Sequence, residues 1–169
     1  MSGPILVLVG PPGSGKSTVG RLVAARLGVE FRDTDHDVES VAGKPITDIF
    51  VNDGEAAFRA LEREAVATAM REHSGVLALG GGAVLDDATR GALAGRRVVW
   101  LDVRLAAAAE RVGLASSRPV LALNPRATMA RLLEERAPLY AEVATVRIET
   151  DDRAPDELAD ELASLVATS

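Results

Sequence analysis

Short runs of apolar residues alternate along the chain with segments of helical periodicity. Continuous runs at residues 5–9 and 76–79 are typical of strands buried on both faces. Further strands are predicted at 29–35, where Val29 and Phe31 lie on one face, and at 98–103 and 146–149. The segments between them repeat apolar residues every three or four positions, which predicts helices over 19–27, 45–52, 54–73, 87–94, 105–112, 125–136 and from 155 onward. Strands separated by helices form a parallel sheet covered on both faces. We therefore predict one domain of the three-layer α/β/α class with a five-stranded parallel sheet.

Residues at the predicted helix ends add detail to this pattern. Asp53 is in position to cap the 54–73 helix, and Asn124 followed by Pro125 is a typical start for a helix. Arg136 lies where that later helix is predicted to end. A cation at such an end interacts favourably with the helix dipole, whatever its function.

The chain is acidic, because its 169 residues include 19 basic and 25 acidic side chains and carry a net charge of −6. A protein that binds nucleic acid or an anionic membrane needs a basic face, so we expect neither partner. Cysteine is absent and there are only two histidines, which excludes disulfides and thiolate metal sites and disfavours a histidine metal centre. No apolar run approaches the roughly 20 residues of a membrane span, and the first residues lack a signal-peptide pattern. We therefore expect a cytoplasmic protein.

A phosphate-binding motif follows the first predicted strand and opens the first helix. The pattern G-x-x-x-x-G-K-S/T occupies residues 10–17, with Lys16 and Ser17 at its end. The N–H groups of such a loop bind phosphate, the lysine bridges the β- and γ-phosphates, and the serine ligates Mg²⁺. The alternative is a Gly/Pro-rich turn without function. Since no N-K-x-D segment for guanine is present and the chain is short, the motif points to phosphoryl transfer to a small molecule.

Candidate catalytic residues follow the second and third predicted strands. Asp33 and Asp35 stand at the end of one strand, and Gly80-Gly81-Gly82 follows the other. Because the carboxyl ends of parallel strands meet at one edge of the sheet, both segments are expected beside the phosphate loop. One carboxylate can hold Mg²⁺ through water, the other can accept the proton of an attacking hydroxyl, and the glycines let a ligand approach the backbone. The alternatives are a solvated turn or helix cap for the acids and a flexible turn for the glycines.

Two arginines are candidates for anion binding. Arg59 lies near the start of the longest predicted helix, with Glu55 and Glu62 on the same face, so a surface ladder of ion pairs is the alternative. Arg118 lies in residues 113–125, a stretch with serine, proline and asparagine that is predicted to be a loop. A mobile loop that carries one arginine can close over the γ-phosphate and stabilise its developing charge.

Six motifs, in this order, resemble the shikimate kinase family over essentially the whole chain. They are the phosphate loop, D-T-D at 33–35, D-G-E-x-x-F-R at 53–59, G-G-G-A-V at 80–84, R-P at 118–119 and R-A-P-L-Y at 136–140. The resemblance implies a P-loop fold of the nucleoside-monophosphate-kinase type, with a mobile lid at about 113–125 and a substrate-binding segment at about 33–62. It also implies transfer of the ATP γ-phosphoryl group to the 3-hydroxyl of shikimate, giving shikimate 3-phosphate and ADP.

The resemblance further implies a nucleotide site. The residues that would bind the ATP phosphates are Gly13, Ser14, Gly15, Lys16, Ser17 and Thr18. Ser17 would bind Mg²⁺ with Asp33 nearby, and Arg118 of the lid would contact ATP. Arg111 and Arg153 would flank the adenine.

An acceptor site is implied as well. Asp35 would bind the shikimate hydroxyls and orient or deprotonate the attacking one, so that the catalytic residues are Lys16, Asp35 and Arg118. Arg59 and Arg136 would grip the shikimate carboxylate, since a guanidinium pairs with a planar anion through two hydrogen bonds. Gly81, as a backbone donor, and Gly82 would line the ring.

Two other functions stay open at this point. A kinase of another small polyol acid, such as gluconate, would share the phosphate loop and an acidic pair, so only the acceptor separates the two enzymes. A homologue that binds nucleotide without catalysis is expected to lack some of the acids and arginines, all of which are present here. For either kinase we expect a monomer whose partner is a small-molecule substrate.

Overall fold

The computed structural model describes residues 3–104 and 125–168. Within them, the strands are β1 (Leu6–Val9), β2 (Phe31–Asp33), β3 (Val76–Ala78), β4 (Val98–Asp102) and β5 (Val146–Glu149). The helices are α1 (Lys16–Leu27), α2 (Thr34–Ala42), α3 (Ile46–Asn52), α4 (Glu55–Glu72), α5 (Asp87–Leu93), α6 (Pro125–Val143) and α7 (Pro155–Ala167). The predicted helix over 105–112 lies outside the described residues. In the described part of the chain, no helix has the length and apolar character needed to cross a bilayer.

The five strands form one parallel sheet in the order β2-β3-β1-β4-β5. Asp33 of β2 and Leu8 of β1 are both register partners of Ala78 in β3, so these three strands end at nearly the same level. The segments that follow them therefore leave the sheet side by side. The predicted fold class, an α/β protein with a five-stranded parallel sheet, is confirmed.

Successive residues of the strands contact opposite layers of helices. In β1, Leu6 and Leu8 pack with α1 and α7, whereas Val7 and Val9 pack with α4, α5 and α6. All four side chains are fully buried. Burial on both faces explains why the central strands β3, β1 and β4 are nearly continuous apolar runs. The edge strands β2 and β5 contain charged residues and are less buried.

The segment between β2 and α4 has a small core of its own, and it coincides with the predicted substrate-binding segment of about 33–62. Lys44 and Asp53 form an ion pair at 2.6 Å that ties the two loops flanking α3. Asp53 is the C-cap residue that follows α3, and Gly54 is the N-cap of α4, so the predicted cap of α4 at Asp53 is wrong. The buried residues of this core are Val38, Ile46, Ile49, Phe58 and Ala65.

The second strand is shorter than predicted, and a helix replaces its end. β2 stops at Asp33, and α2 begins at Thr34. Oδ1 of Asp33 accepts a hydrogen bond from the N–H of Asp35 at 2.9 Å and so caps the helix. The apolar pattern does not predict α2, because only Thr34 and Val38 of its nine residues are buried and no apolar stripe results.

The helix α6 is longer than predicted. It continues past Arg136 to Val143 and contains Pro138, so the expectation that Arg136 ends a helix is wrong. Proline lacks the N–H of a helical hydrogen bond and usually stops a helix. Here Tyr140 packs in the buried core beyond the proline, together with partly buried apolar neighbours. Tertiary packing thus outweighs the local cost of Pro138.

Candidate active site

The phosphate loop leads from the end of β1 into the first turn of α1. Gly10 at the end of the strand has a φ of +151°, and Gly15 directly before the helix has a φ of +90°. Side chains other than glycine rarely adopt such angles. A Cβ on Gly10 would also lie 2.5 Å from the carbonyl oxygen of Leu101 in β4. Glycine at these points lets the loop lie close to the sheet and places the amino end of α1 at the site, where its N–H groups can bind an anion.

Lys16 and Ser17, the last residues of the motif, form the first turn of α1. The Nζ of Lys16 donates to the carbonyl oxygens of Gly10 and Pro11 at 2.8 and 3.0 Å, so its ammonium group lies over the loop. The first turn of α1 carries no acidic residue. A cation and a helix amino terminus therefore occur together, which is the chemistry that binds phosphate groups.

Ser17 and Asp33 offer oxygen ligands beside the loop. The Oγ of Ser17 donates to Oδ2 of Asp33 at 2.7 Å. Mg²⁺ prefers oxygen ligands and in phosphoryl-transfer sites is held by one or two protein side chains, by phosphate and by water. The pair fits such an ion. Within the described residues, no group of three or more acidic or imidazole side chains could hold a metal by itself.

A cavity of about 340 Å³ lies beside the phosphate loop at the start of α7. Arg153 is held at the cavity wall by Glu157 and Glu161, at 3.0 and 2.7 Å. The hydrogen bond that its guanidinium donates to Glu161, and then the one to Glu157, raises the pKa of the guanidinium above its usual value. Arg111, Arg118 and residues 113–124 of the predicted lid lie outside the described residues. The residues that line the cavity, four of them predicted to bind ATP, are Ser14, Gly15, Thr18, Val19, Thr150, Arg153, Pro155 and Leu158.

Gly80, the first of the three glycines after β3, lies against two carboxylates. A Cβ at this position would be 2.6 Å from Oδ1 of Asp35 and 2.8 Å from Oε2 of Glu62. The N–H of Gly80 donates to Oγ1 of the buried Thr34 at 3.3 Å, which ties this turn to the first residue of α2. Asp35 is thereby placed at the edge of the sheet where β3 ends. Only glycine leaves room for both carboxylates.

Gly81 and Gly82 bring the phosphate loop and an arginine to the same turn. A Cβ on Gly81 would lie 2.8 Å from Cδ of Pro12 in the phosphate loop, and one on Gly82 would lie 2.5 Å from Nη1 of Arg59. All three glycines of the turn are buried, so it is a packed segment and not a solvated, flexible one. The predicted acceptor residues Asp35 and Arg59 thus both lie against the turn formed by residues 80–82.

Arg59 is held by a buried acid. Its Nη1 donates to Oε1 of Glu62 at 2.7 Å, and Glu62 is only 3% exposed. Glu55 is 3.9 Å away with a side chain that is 63% exposed, so it holds Arg59 weakly. The pair with Glu62 is therefore internal, unlike the surface ladder considered from the sequence. Nε of Arg59 is buried and has no hydrogen-bond acceptor in the described part of the chain, which makes it a ready donor for an anion.

Arg136 is buried on α6, one helical turn before Tyr140. The hydroxyl of Tyr140 donates to the carbonyl oxygen of Gly81 at 2.6 Å. Residues four apart on a helix lie on the same face, so Arg136 also projects from the face of α6 that meets the glycine turn. Its burial here fits the predicted role of a second arginine for a carboxylate.

Sequence reasoning did not predict the contacts of Glu62, Gly80 and Tyr140, although it placed Glu62 in a possible ion-pair ladder and gave the three glycines a general part in ligand approach. Glu62 stands four residues after Phe58 and three before Ala65, inside the apolar stripe of α4. An acidic residue within the apolar stripe of a helix indicates a buried carboxylate with a partner, so the sequence contains a signal for the role of Glu62. Gly80 and Tyr140 give no comparable local signal, because their contacts are with residues distant in the sequence.

The chain is similar over nearly its whole length to proteins of known family. The family model described as shikimate kinase matches residues 12–167. The chain is 62% identical to a shikimate kinase of Salinispora arenicola, over 97% of this chain and 98% of the relative, and 61% identical to that of Salinispora tropica, over 96% and 98%. The solved structure of shikimate kinase from Acinetobacter baumannii in complex with shikimate has a TM-score of 0.93 and 38% identity, covering 98% of this chain and 93% of that one. The chain therefore belongs to the shikimate kinase family.

Proposed function

We propose that this chain transfers the γ-phosphoryl group of ATP to the 3-hydroxyl of shikimate and releases shikimate 3-phosphate and ADP. The observation that carries the proposal is the buried turn at residues 80–82, which lies against Pro12 of the phosphate loop, Asp35 and Arg59. A phosphate site, a proton acceptor and an anion-binding guanidinium therefore meet at one turn. Transfer from a nucleotide to a hydroxyl group of a small carboxylic acid needs these three groups in close proximity.

The phosphate side of the reaction depends on the amino end of α1. Lys16 and the backbone of the loop bind the β- and γ-phosphates and neutralise charge as the γ-phosphoryl group departs. Ser17 and Asp33 would hold Mg²⁺, which would supply positive charge to offset the negative charge of the phosphates. The Ser17–Asp33 contact of 2.7 Å supports this assignment, because it keeps both oxygen ligands at the edge of the loop.

The acceptor side depends on Asp35 and two arginines. Asp35 orients the attacking hydroxyl and receives its proton, as its position between the ends of β2 and β3 allows. Arg59 and Arg136 bind the carboxylate of shikimate and fix the ring with the reacting hydroxyl toward the phosphate loop. The buried Nε donor of Arg59 supports a planar anion as its partner.

The reaction needs no macromolecular partner, and we propose that the chain acts as a cytoplasmic monomer. The described residues of the site all belong to a single chain, and the net charge of −6 disfavours nucleic acid and anionic membranes. Sedimentation velocity at the assay concentration measures the oligomeric state, and we expect a single monomeric species. A dimer as the only active species would contradict it.

Glu62→Gln is expected to raise the KM for shikimate about tenfold with a smaller effect on the KM for ATP, because the ion pair that holds Arg59 is replaced by a weaker hydrogen bond. Initial rates with each substrate varied in turn measure both constants. Glu55→Gln is the matched control on the same helix, and it should leave both constants unchanged because Glu55 is exposed and 3.9 Å from the guanidinium. Equal effects of the two substitutions would contradict the role of Glu62.

Arg118→Ala is expected to lower kcat by about 10³-fold and to change the KM for shikimate much less, because a lid arginine stabilises charge that develops on the γ-phosphoryl group. Steady-state kinetics with saturating ATP separate the two constants. A loss confined to the affinity for shikimate would mean that Arg118 binds the acceptor and is not a lid residue.

The position of the transferred phosphate tests the proposed reaction. Shikimate is incubated with the chain, ATP and Mg²⁺, and the product is analysed by ³¹P and ¹H NMR. We expect a single phosphate ester coupled to the proton on carbon 3. A phosphate on another hydroxyl, or ATP binding without any product, would refute the proposal, and the second result would favour a homologue without catalysis.

A further inference from the structure

Tyr140 links two distant parts of the chain through a buried hydrogen bond. Its hydroxyl donates to the carbonyl oxygen of Gly81 at 2.6 Å, and the residue is 1% exposed. It is the only tyrosine of the chain, and its ring packs against Trp100 of β4 with the ring centroids 5.7 Å apart. The aromatic ring is therefore fixed by core packing, and the hydroxyl is directed at the carbonyl of Gly81 in the glycine turn.

The hydrogen bond controls the orientation of one peptide unit. The carbonyl of Gly81 and the N–H of Gly82 belong to the same planar peptide and point in opposite directions. Holding the carbonyl on Tyr140 therefore directs the N–H of Gly82 away from α6. Glycine has few steric limits on its backbone angles, so a turn of three glycines needs such an external contact to keep one orientation. The Gly80 N–H bonded to Thr34 provides the second contact at the other end of the turn.

The same hydrogen bond also restrains α6. Arg136 lies one helical turn before Tyr140 on the same face, and Pro138 between them lacks the N–H that would bond to the carbonyl of Glu134. This stretch of the helix therefore has one internal hydrogen bond fewer than a regular helix. The bond from Tyr140 to Gly81 fixes the helix directly beyond that point, and with it the position of Arg136 relative to the glycine turn.

We propose that Tyr140 is a positioning residue for the acceptor, acting through the Gly81–Gly82 peptide and through Arg136. The inference rests on the proposed function, in which Arg136 binds the carboxylate of shikimate, and on the implied place of Gly81 and Gly82 along the shikimate ring. Tyr140 does not itself touch the reacting atoms. Its removal should therefore weaken acceptor binding selectively and leave the nucleotide site, which is built on α1 and α7, unchanged.

Tyr140→Phe tests the inference, because it removes only the hydroxyl and keeps the ring in contact with Trp100. We expect the KM for shikimate to rise about tenfold, because the buried Gly81 carbonyl loses its hydrogen bond from Tyr140. Without this bond the glycine turn is no longer held in one orientation. The KM for ATP should stay within about twofold of the wild-type value, as the nucleotide contacts are untouched. Initial rates with shikimate and ATP varied independently measure both constants, and thermal unfolding is recorded in parallel.

Thr145→Val serves as the matched control. The Thr145 hydroxyl bonds to the backbone of Val98 at 2.9 and 3.1 Å, at the opposite edge of the sheet from the site. This substitution should lower the melting temperature and leave both KM values unchanged. An unchanged KM for shikimate in Tyr140→Phe, or equal rises in both constants, would overturn the inference alone. A wild-type chain that binds ATP but does not phosphorylate shikimate would overturn the proposed function, and the inference with it.

Discussion

Asp35→Asn is expected to lower kcat by about 10³-fold while leaving the affinity for ATP nearly unchanged. An asparagine keeps the size of the side chain but cannot accept the proton of the attacking hydroxyl at neutral pH. It also places an amide N–H₂ or a neutral oxygen beside Glu62 and Gly80, where a carboxylate now lies. Steady-state ADP release gives kcat, and isothermal titration calorimetry gives the dissociation constant for ATP.

Asp37→Asn is the matched control for this substitution. Asp37 lies one half-turn further along α2 and pairs with Arg32 at 2.7 Å, away from the glycine turn. It should keep nearly full activity, with at most a small loss of stability because the ion pair is partly exposed. Substantial kcat in Asp35→Asn would show that Asp35 is not the essential acceptor of the proton. Loss of ATP binding in the same variant would show that its effect is structural.

Gly80→Ala is expected to lower kcat/KM for shikimate by about 100-fold, the loss that a displacement of roughly 1 Å in a reacting group can cause. The new methyl group would lie 2.6 Å from Oδ1 of Asp35 and 2.8 Å from Oε2 of Glu62. Such distances are shorter than van der Waals contact, so at least one carboxylate must move. If Asp35 moves the catalytic group is displaced, and if Glu62 moves the support of Arg59 is lost.

The control for this prediction is Gly91→Ala in α5. A Cβ at Gly91 would have no atom within 4 Å apart from its own stretch of helix, and alanine favours a helix over glycine by up to about 1 kcal/mol. The variant should be fully active and slightly more stable in urea unfolding. Wild-type activity in Gly80→Ala would mean that the two carboxylates can move aside without loss of activity. The close packing of the turn would then not be needed for catalysis.

Most of the fold follows from local patterns in the sequence. Continuous apolar runs predict the central strands, because strands buried on both faces cannot alternate polar and apolar residues. The edge strands β2 and β5 include charged residues and are predicted from shorter apolar segments. The helix α2 does not follow, since its buried residues are too few to give a periodic stripe, and Asp33 at its start is as typical of a turn as of a cap. The full length of α6 cannot be predicted from local patterns either, because proline at position 138 normally ends a helix. The helix continues because Tyr140, beyond the proline, packs in the core.

Some residues of the candidate site can likewise be predicted from the sequence, and others cannot. The phosphate loop, Asp35 and Arg59 belong to short motifs at strand and helix ends, so their approximate place follows from the sequence. The roles of Gly80 and Tyr140 depend on contacts between residues about 20 to 60 positions apart, as in the Tyr140–Gly81 hydrogen bond. No local pattern encodes such contacts. Glu62 is intermediate, because its place in an apolar stripe indicates a buried partner but not which partner.

The acceptor specificity of the chain tests its assigned function most directly. Initial rates of ADP release from ATP and Mg²⁺ are compared for shikimate, quinate and gluconate at equal concentrations. We expect turnover with shikimate and rates at least about 100-fold lower with the other two acids, because Asp35, Arg59 and Arg136 must engage ring hydroxyls and carboxylate in one geometry. Comparable turnover with gluconate or quinate, or ATP binding without turnover of shikimate, would contradict the assignment.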